Sequence, residues 1–105
     1  MIDAYVRIDL PDQLHAPRGR LLAEIPAEGA LPLLQIYDCF EYLLALKRHR
    51  NGGVEHERIW VSDDRFDGRC LPVNPLPEDE IRGQLRRFFG DDPRAPVMVR
   101  ESPLR

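Results

Sequence analysis

Long hydrophobic runs and cysteines are both scarce in this 105-residue sequence. No stretch approaches the roughly eighteen uninterrupted apolar residues that cross a bilayer, so we expect no membrane span. The N-terminal residues also lack the charged and apolar regions of a secretory leader. Without such a leader, the two cysteines, Cys39 and Cys70, are expected to stay reduced. The sequence therefore predicts a cytoplasmic protein.

Recognisable ligand sets for a metal ion or cofactor are missing as well. Zinc sites use three or four Cys, His or carboxylate ligands at paired spacing, whereas the three histidines here are scattered. The segment 63–68 has the Asp and Gly content of a calcium loop. However, Arg65 occupies a ligand position, and Asn74 stands where the bidentate glutamate belongs. We predict no metal and no cofactor.

Signals of nucleophilic catalysis and of phosphate binding are equally weak. Ser62 lacks the flanking glycines that expose a nucleophilic serine on a sharp turn. Cys39 lies in an apolar stretch, where burial raises the pKa of a thiol and makes it inert. Gly52 and Gly53 end a predicted helix instead of opening one, so they do not form a phosphate loop.

Basic charge is in deficit, with 15 Lys and Arg against 18 Asp and Glu and a net charge of −3. Because proteins that neutralise phosphates carry a basic excess, nucleic-acid binding is disfavoured. The basic run 47–50 and the pair Arg86-Arg87 both lie at predicted helix ends, where they complement the helix dipole. Whether the run 47–50 also contacts phosphate stays open. Lys47 is the only lysine, and arginine, which supplies all the other basic residues, suits protein interfaces.

The N-terminal quarter of the sequence has the residue pattern of two strands. Residues 2–10 alternate polar and apolar side chains, which predicts a strand with one buried face. Residues 19–25 predict a second strand, with Leu21, Ala23 and Ile25 facing inward, and the two strands are expected to form a hairpin.

Helical periodicity predicts two helices. The first covers 33–50 and ends at Asn51-Gly52-Gly53, with the basic run 47–50 in its last turn. The second begins near Pro77 with an acidic first turn and ends at Gly90. The apolar positions on which these helices depend are Leu33, Ile36, Tyr37, Phe40, Leu43 and Leu44 in the first, and Ile81, Leu85, Phe88 and Phe89 in the second.

Short extended stretches complete the predicted fold. Residues 54–62, 69–73 and 97–99 are expected to form strands, and 102–105 a frayed tail. The sequence thus predicts one α+β domain over residues 1–105. Its architecture is a two-layer sandwich, in which a mainly antiparallel sheet of four or five strands carries two helices on one face, in the order β-β-α-β-(β)-α-β.

Without a recognisable site, the leading hypothesis is a non-catalytic protein-binding module. Its expected partner is another protein, and a homodimer stays open. Because a stable fold without a reacting site usually works through its surface, the expected roles are a bacterial or mobile-element inhibitor, immunity or anti-defence protein, or a regulatory subunit. The predominance of arginine over lysine is typical of a GC-rich bacterial genome. Tyr, Trp and Arg dominate interface hot spots. The candidate interface residues are Tyr5, Tyr42, Arg48, Arg50, Arg58 and Trp60.

The alternative is a small hydrolase or nuclease that uses His56 together with Asp63 or Asp64. An imidazole beside a carboxylate can take up and deliver a proton at neutral pH. This alternative predicts a concave pocket in which the two groups converge.

Overall fold

A four-stranded sheet followed by two helices makes up the part of the chain that the computed structural model describes, residues 14–39, 42–60 and 76–101. Every strand pairs antiparallel with its neighbours in the chain, so the strands follow their order in the sequence across the sheet. These residues confirm the predicted α+β class. The elements are β1 (Arg20–Ile25), β2 (Leu33–Asp38), β3 (Tyr42–Arg48), β4 (Val54–Trp60), α1 (Glu78–Phe89) and α2 (Ala95–Glu101).

One face of the sheet, here called the helix-side face, shares a buried core with both helices. On α1 the core side chains recur at helical spacing, which is why this segment buries a single stripe. Burial of each large apolar side chain contributes about 1.5–3 kcal/mol to folding. The core includes Ala23, Leu34, Ile36, Leu43, Ala45 and Ile59 from the sheet and Ile81, Leu85, Phe89, Ala95, Met98 and Val99 from the helices.

The opposite face, here called the outer face, holds a second and smaller apolar cluster. Tyr42, Leu44 and Leu46 are buried there, and Tyr37 and Val54 pack against them. Side chains alternate between the two faces along a strand, so β3 is buried on both sides.

The predicted helix over 33–50 is wrong, because these residues form β2 and β3 joined by a short connection. Strands buried on both faces read as nearly continuous apolar runs, and such a run matches a helical stripe by chance. The residues that favour a helix, mostly Leu and Ala, are overridden by pairing within the sheet. Gly52 does adopt the left-handed conformation, with φ of 97°, but it turns the β3–β4 hairpin.

The predicted second strand is confirmed as β1, with one difference in side-chain direction. Ala23 and Ile25 contact the helix-side core as expected, whereas Leu21 is 42% exposed. The register with β2 shifts between Leu21 and Ala23, and this irregularity inserts Leu22 as an extra residue. A bulge of this kind moves every side chain before it to the other face.

The predicted strand at 97–99 is also wrong, because these residues belong to α2. Pro96, which was expected to bracket a strand, lies in the first turn of α2, where backbone N–H groups have no acceptor within the helix. Arg82 of α1 donates a 2.8 Å hydrogen bond to the carbonyl oxygen of Val99 and so ties the two helices together.

The predicted second helix is confirmed as α1, and the expected strand 54–62 is confirmed as β4 over the described residues. Pro77 occupies the N-cap, one position before the expected one, and Gly90 caps the helix in the right-handed region. Four predictions lie outside the described residues: the strand 2–10, the turn 63–68, the strand 69–73 and the tail 102–105.

A buried ion pair fastens the β1–β2 connection to the helices. Both oxygens of Asp92 accept 2.9 Å hydrogen bonds from Arg94, one from Nε and one from Nη2. The same guanidinium donates 2.6 Å hydrogen bonds to the carbonyl oxygens of Pro26 and Pro32. Hydrogen bonding from Arg94 is the main reason that the pKa of Asp92 lies below its usual value. Asp92 and Arg94 therefore link the segment between α1 and α2 to the β1–β2 connection.

Candidate binding surface

The register of β3 and β4 places three of the predicted interface residues on the outer face. Tyr42, Arg48 and Arg58 occupy positions of the same parity as the buried outer residues Leu44 and Leu46. Sequence reasoning selected these residues by type alone. The strands therefore place these residues on one face of the sheet, which the predicted helix would not have done.

Charge is separated by face along β4. Glu55 and Glu57 pair with Lys47 and Ala45 and lie on the helix-side face. His56 and Arg58, which pair with Leu46 and Leu44, lie on the outer face. The two outer residues are about 6.6 Å apart along the strand, since each residue rises about 3.3 Å. The outer side of this strand thus carries basic side chains and no carboxylate.

A chain of hydrogen bonds across three strands holds Arg48 in place. Its Nε donates a 2.8 Å hydrogen bond to Oε1 of Gln35, and Nε2 of Gln35 donates a 2.8 Å hydrogen bond to Oε2 of Glu24. Gln35 is 7% exposed, so both ends of its amide are satisfied in a nearly dry setting. Among the described residues, Gln35 alone accepts a hydrogen bond from Arg48. The guanidinium is therefore oriented through its Nε.

Arg58 is positioned by an aromatic ring. Its guanidinium carbon lies 4.0 Å from the centroid of the Tyr42 ring, a distance typical of a cation–π contact. Tyr42 itself is only 5% exposed, so it supports this surface from below and offers little area to a partner. This candidate interface residue is therefore buried, because its ring packs in the outer apolar cluster.

The β3–β4 turn carries the third arginine, Arg50, which is exposed. The turn is held by a 2.8 Å hydrogen bond from the Gly53 amide to Oδ1 of Asn51. In addition, Nε2 of His49 lies 2.6 Å from Oε2 of Glu55. These contacts fix the backbone on which Arg50 sits.

The remaining predicted residues are only partly described. Trp60 ends β4 and pairs with Tyr42. Tyr5, Asp63 and Asp64 lie outside the described residues. His56 is half-buried on the outer face. Its meeting with either aspartate, on which the hydrolase alternative depends, stays a prediction.

A cavity of about 230 Å³ lies between α1 and β4, lined by Glu57, Gln84, Arg87 and Phe88. Because Glu57 is on the helix-side face, this cavity lies on the other side of β4 from His56. Lys47 is close to it, with Nζ 4.8 Å from the centroid of the Phe88 ring and only 7% of the residue exposed. Sequence reasoning placed Lys47 in the last turn of a helix and did not predict that this cation is buried.

Cys39 lies in the connection between β2 and β3 and not inside a helix. It is half-buried, and its burial, together with a smaller effect of the nearby Asp38 carboxylate, raises the pKa of the thiol to about 11. The expected direction of the thiol pKa is confirmed, although the surrounding element is different. At neutral pH this thiol is almost entirely protonated and a poor nucleophile.

Within the described ranges, no three His, Cys, Asp or Glu side chains are grouped as metal ligands. Neither described helix has the length and apolar character needed to span a membrane.

Comparison with known proteins gives no relative: no family model, no curated protein and no solved structure matches this chain.

Proposed function

We propose that this chain is a non-catalytic protein-binding module and that it binds its partner at the hairpin end of the outer face. This surface, here called the hairpin patch, consists of Arg48, Arg50 and His56 with the half-buried apolar residues Leu33 and Val54. Arg48 pairs with Leu33 on β2 and with Val54 on β4, so one guanidinium stands between two apolar neighbours. Arginine beside apolar area is typical of interface hot spots.

The observation that carries this proposal is the fixed orientation of Arg48 by Gln35 and Glu24. An exposed arginine loses side-chain entropy when a partner immobilises it, which costs roughly 0.5–1.5 kcal/mol. Arg48 has given up part of that freedom on folding. A partner that bonds to its Nη groups therefore retains more of the interaction free energy.

A module of this kind acts by covering a functional surface of another protein, as an inhibitor or a regulatory subunit does. Such a role requires a stable fold with an oriented surface and no reacting group. The rigid sheet beneath Arg48 and Arg58 meets the first requirement, since sites on regular elements are held more firmly than sites on loops.

The test compares capture of proteins from a lysate of the source cells by four forms of the chain. These are the natural sequence, Arg48→Ala, Arg50→Glu and the control Arg86→Glu, which changes an exposed arginine of α1. We expect proteins captured by the natural sequence and by the control to be lost from both patch variants, with melting temperatures unchanged for Arg50→Glu. Retention of the same proteins by both patch variants would contradict the proposal.

A further inference from the structure

We infer that the partner presents carboxylates to the hairpin patch, so that an acidic protein segment is what the patch binds. This inference rests on the proposed function and specifies the chemistry of its partner. It follows from the charges that the sheet places around Arg48.

Among the described strand residues, the outer face carries two arginines, Arg48 and Arg58, against one carboxylate, Glu24, although the whole chain has a net charge of −3. Arg48 and His56 are diagonal cross-strand neighbours, and such positions lie roughly 7–8 Å apart. Arg50 follows in the adjoining turn. The nearby carboxylate, Glu24, already accepts a hydrogen bond from Gln35.

Carboxylates on the other side of the sheet do not neutralise this patch directly. Glu55 and Glu57 lie on the helix-side face, where Lys47 is the cross-strand partner of Glu55. The exposed Glu55 is also within 2.6 Å of His49. The hairpin patch therefore has local basic character that the composition conceals.

A protein segment fits this patch better than a nucleic acid does. Phosphate-driven binding depends on many basic contacts along a polyanion, and the overall negative charge of this chain opposes the approach of one. By contrast, guanidinium and carboxylate groups match in geometry and form paired hydrogen bonds. Leu33 and Val54 add apolar area that the side chains of a short peptide can cover.

The experiment measures fluorescence anisotropy with three labelled probes at low salt. The first is a peptide repeating Glu and Val, the second is the same peptide with Gln in place of Glu, and the third is a single-stranded oligonucleotide of equal length. We expect the Glu peptide to bind about tenfold more tightly than the Gln peptide, because charge-assisted hydrogen bonds are the stronger kind. The Arg48→Gln and Arg50→Gln variants should each lose most of this preference, and Arg86→Gln should keep it.

Equal binding of the two peptides, tighter binding of the oligonucleotide, or binding of no probe would each overturn the inference. These outcomes are separable from failure of the proposed function. If the patch variants lose captured proteins from the lysate while the Glu and Gln peptides bind equally, the patch is a binding surface and only its acidic preference is wrong.

Discussion

At the scale of single residues, the buried ion pair of Asp92 and Arg94 links segments that are far apart in the sequence. Each oxygen of Asp92 accepts a hydrogen bond from the Arg94 side chain, and the guanidinium reaches two carbonyl groups of the β1–β2 connection. Removal of one partner from such a pair leaves a buried charge without compensation, which is far costlier than loss of a surface ion pair. These two side chains therefore stabilise the packing of α2 on β1.

Because of this pair, we expect the free energy of unfolding to decrease in acid, and we expect a smaller decrease for the Asp92→Asn variant. The folded-state pKa of Asp92 lies below its ordinary value of 3.8. Its contribution to the free energy of unfolding is therefore complete above that value and is lost as the pH falls through the folded-state pKa. We expect Asp92→Asn to be less stable at pH 7 by about 1–3 kcal/mol and to lose less on acidification.

Urea unfolding at a series of pH values measures this difference, with Asp91→Asn, at the exposed neighbouring position, as the control. An Asp92→Asn variant whose stability falls with pH as steeply as that of the natural chain would show that the Asp92 carboxylate is not responsible.

At the scale of elements, β3 explains the main error of sequence reasoning. Tyr42 through Lys47 are all buried, three of them on each face of the sheet. Neither strict alternation nor a one-sided stripe appears in such a segment, so periodicity alone cannot separate a doubly buried strand from a helix. The sequence did locate β1 and α1, where one face is polar and the period is visible, and it located β4 from the consecutive apolar residues Ile59, Trp60 and Val61.

The hairpin patch, too, could be predicted from the sequence only in part. Its members Arg48 and Arg50 could be selected from residue type, because arginine is common at interfaces. The bonds from Arg48 to Gln35 and on to Glu24 could not be predicted, because they depend on the register of three strands. In the predicted helix over 33–50, Gln35 and Arg48 would share the polar side but would be thirteen residues apart along the helix axis. Their side chains could not touch at that distance.

A substitution on β3 tests its burial on both faces. Leu46 is fully buried on the outer face, whereas the helical pattern left it off the apolar stripe. We expect Leu46→Ala to lower the free energy of unfolding by about 2–5 kcal/mol through lost contacts and an unfilled cavity. Leu21→Ala, at a position that is 42% exposed, should cost about 1 kcal/mol or less.

Chemical denaturation of both variants gives the comparison. Equal, small losses would mean that the outer face of β3 is not packed, and would remove the support beneath Arg48 and Arg58.

At the scale of the whole molecule, the sheet divides the described chain into two environments. The helix-side face supplies the larger core, the cavity beside Phe88 and the buried Lys47. The outer face supplies a smaller cluster beneath basic side chains. Under the proposed function, stability and recognition depend on opposite sides of one sheet, so we expect substitutions in the hairpin patch to alter binding without disturbing the main core.

Because Lys47 is the only lysine in the sequence and is 7% exposed, it is the single side-chain amine that an acylating reagent can modify, and folding shields it. We expect an activated ester to leave Lys47 unmodified under native conditions and to acylate it fully in urea, as followed by the mass of the peptide that contains it. At intermediate urea, the rate of acylation would report how often α1 lifts from the sheet, since local opening precedes reaction at a shielded site. Rapid acylation in native buffer would contradict the burial of Lys47. The scarcity of lysine thus gives the protein a built-in reporter of its own opening.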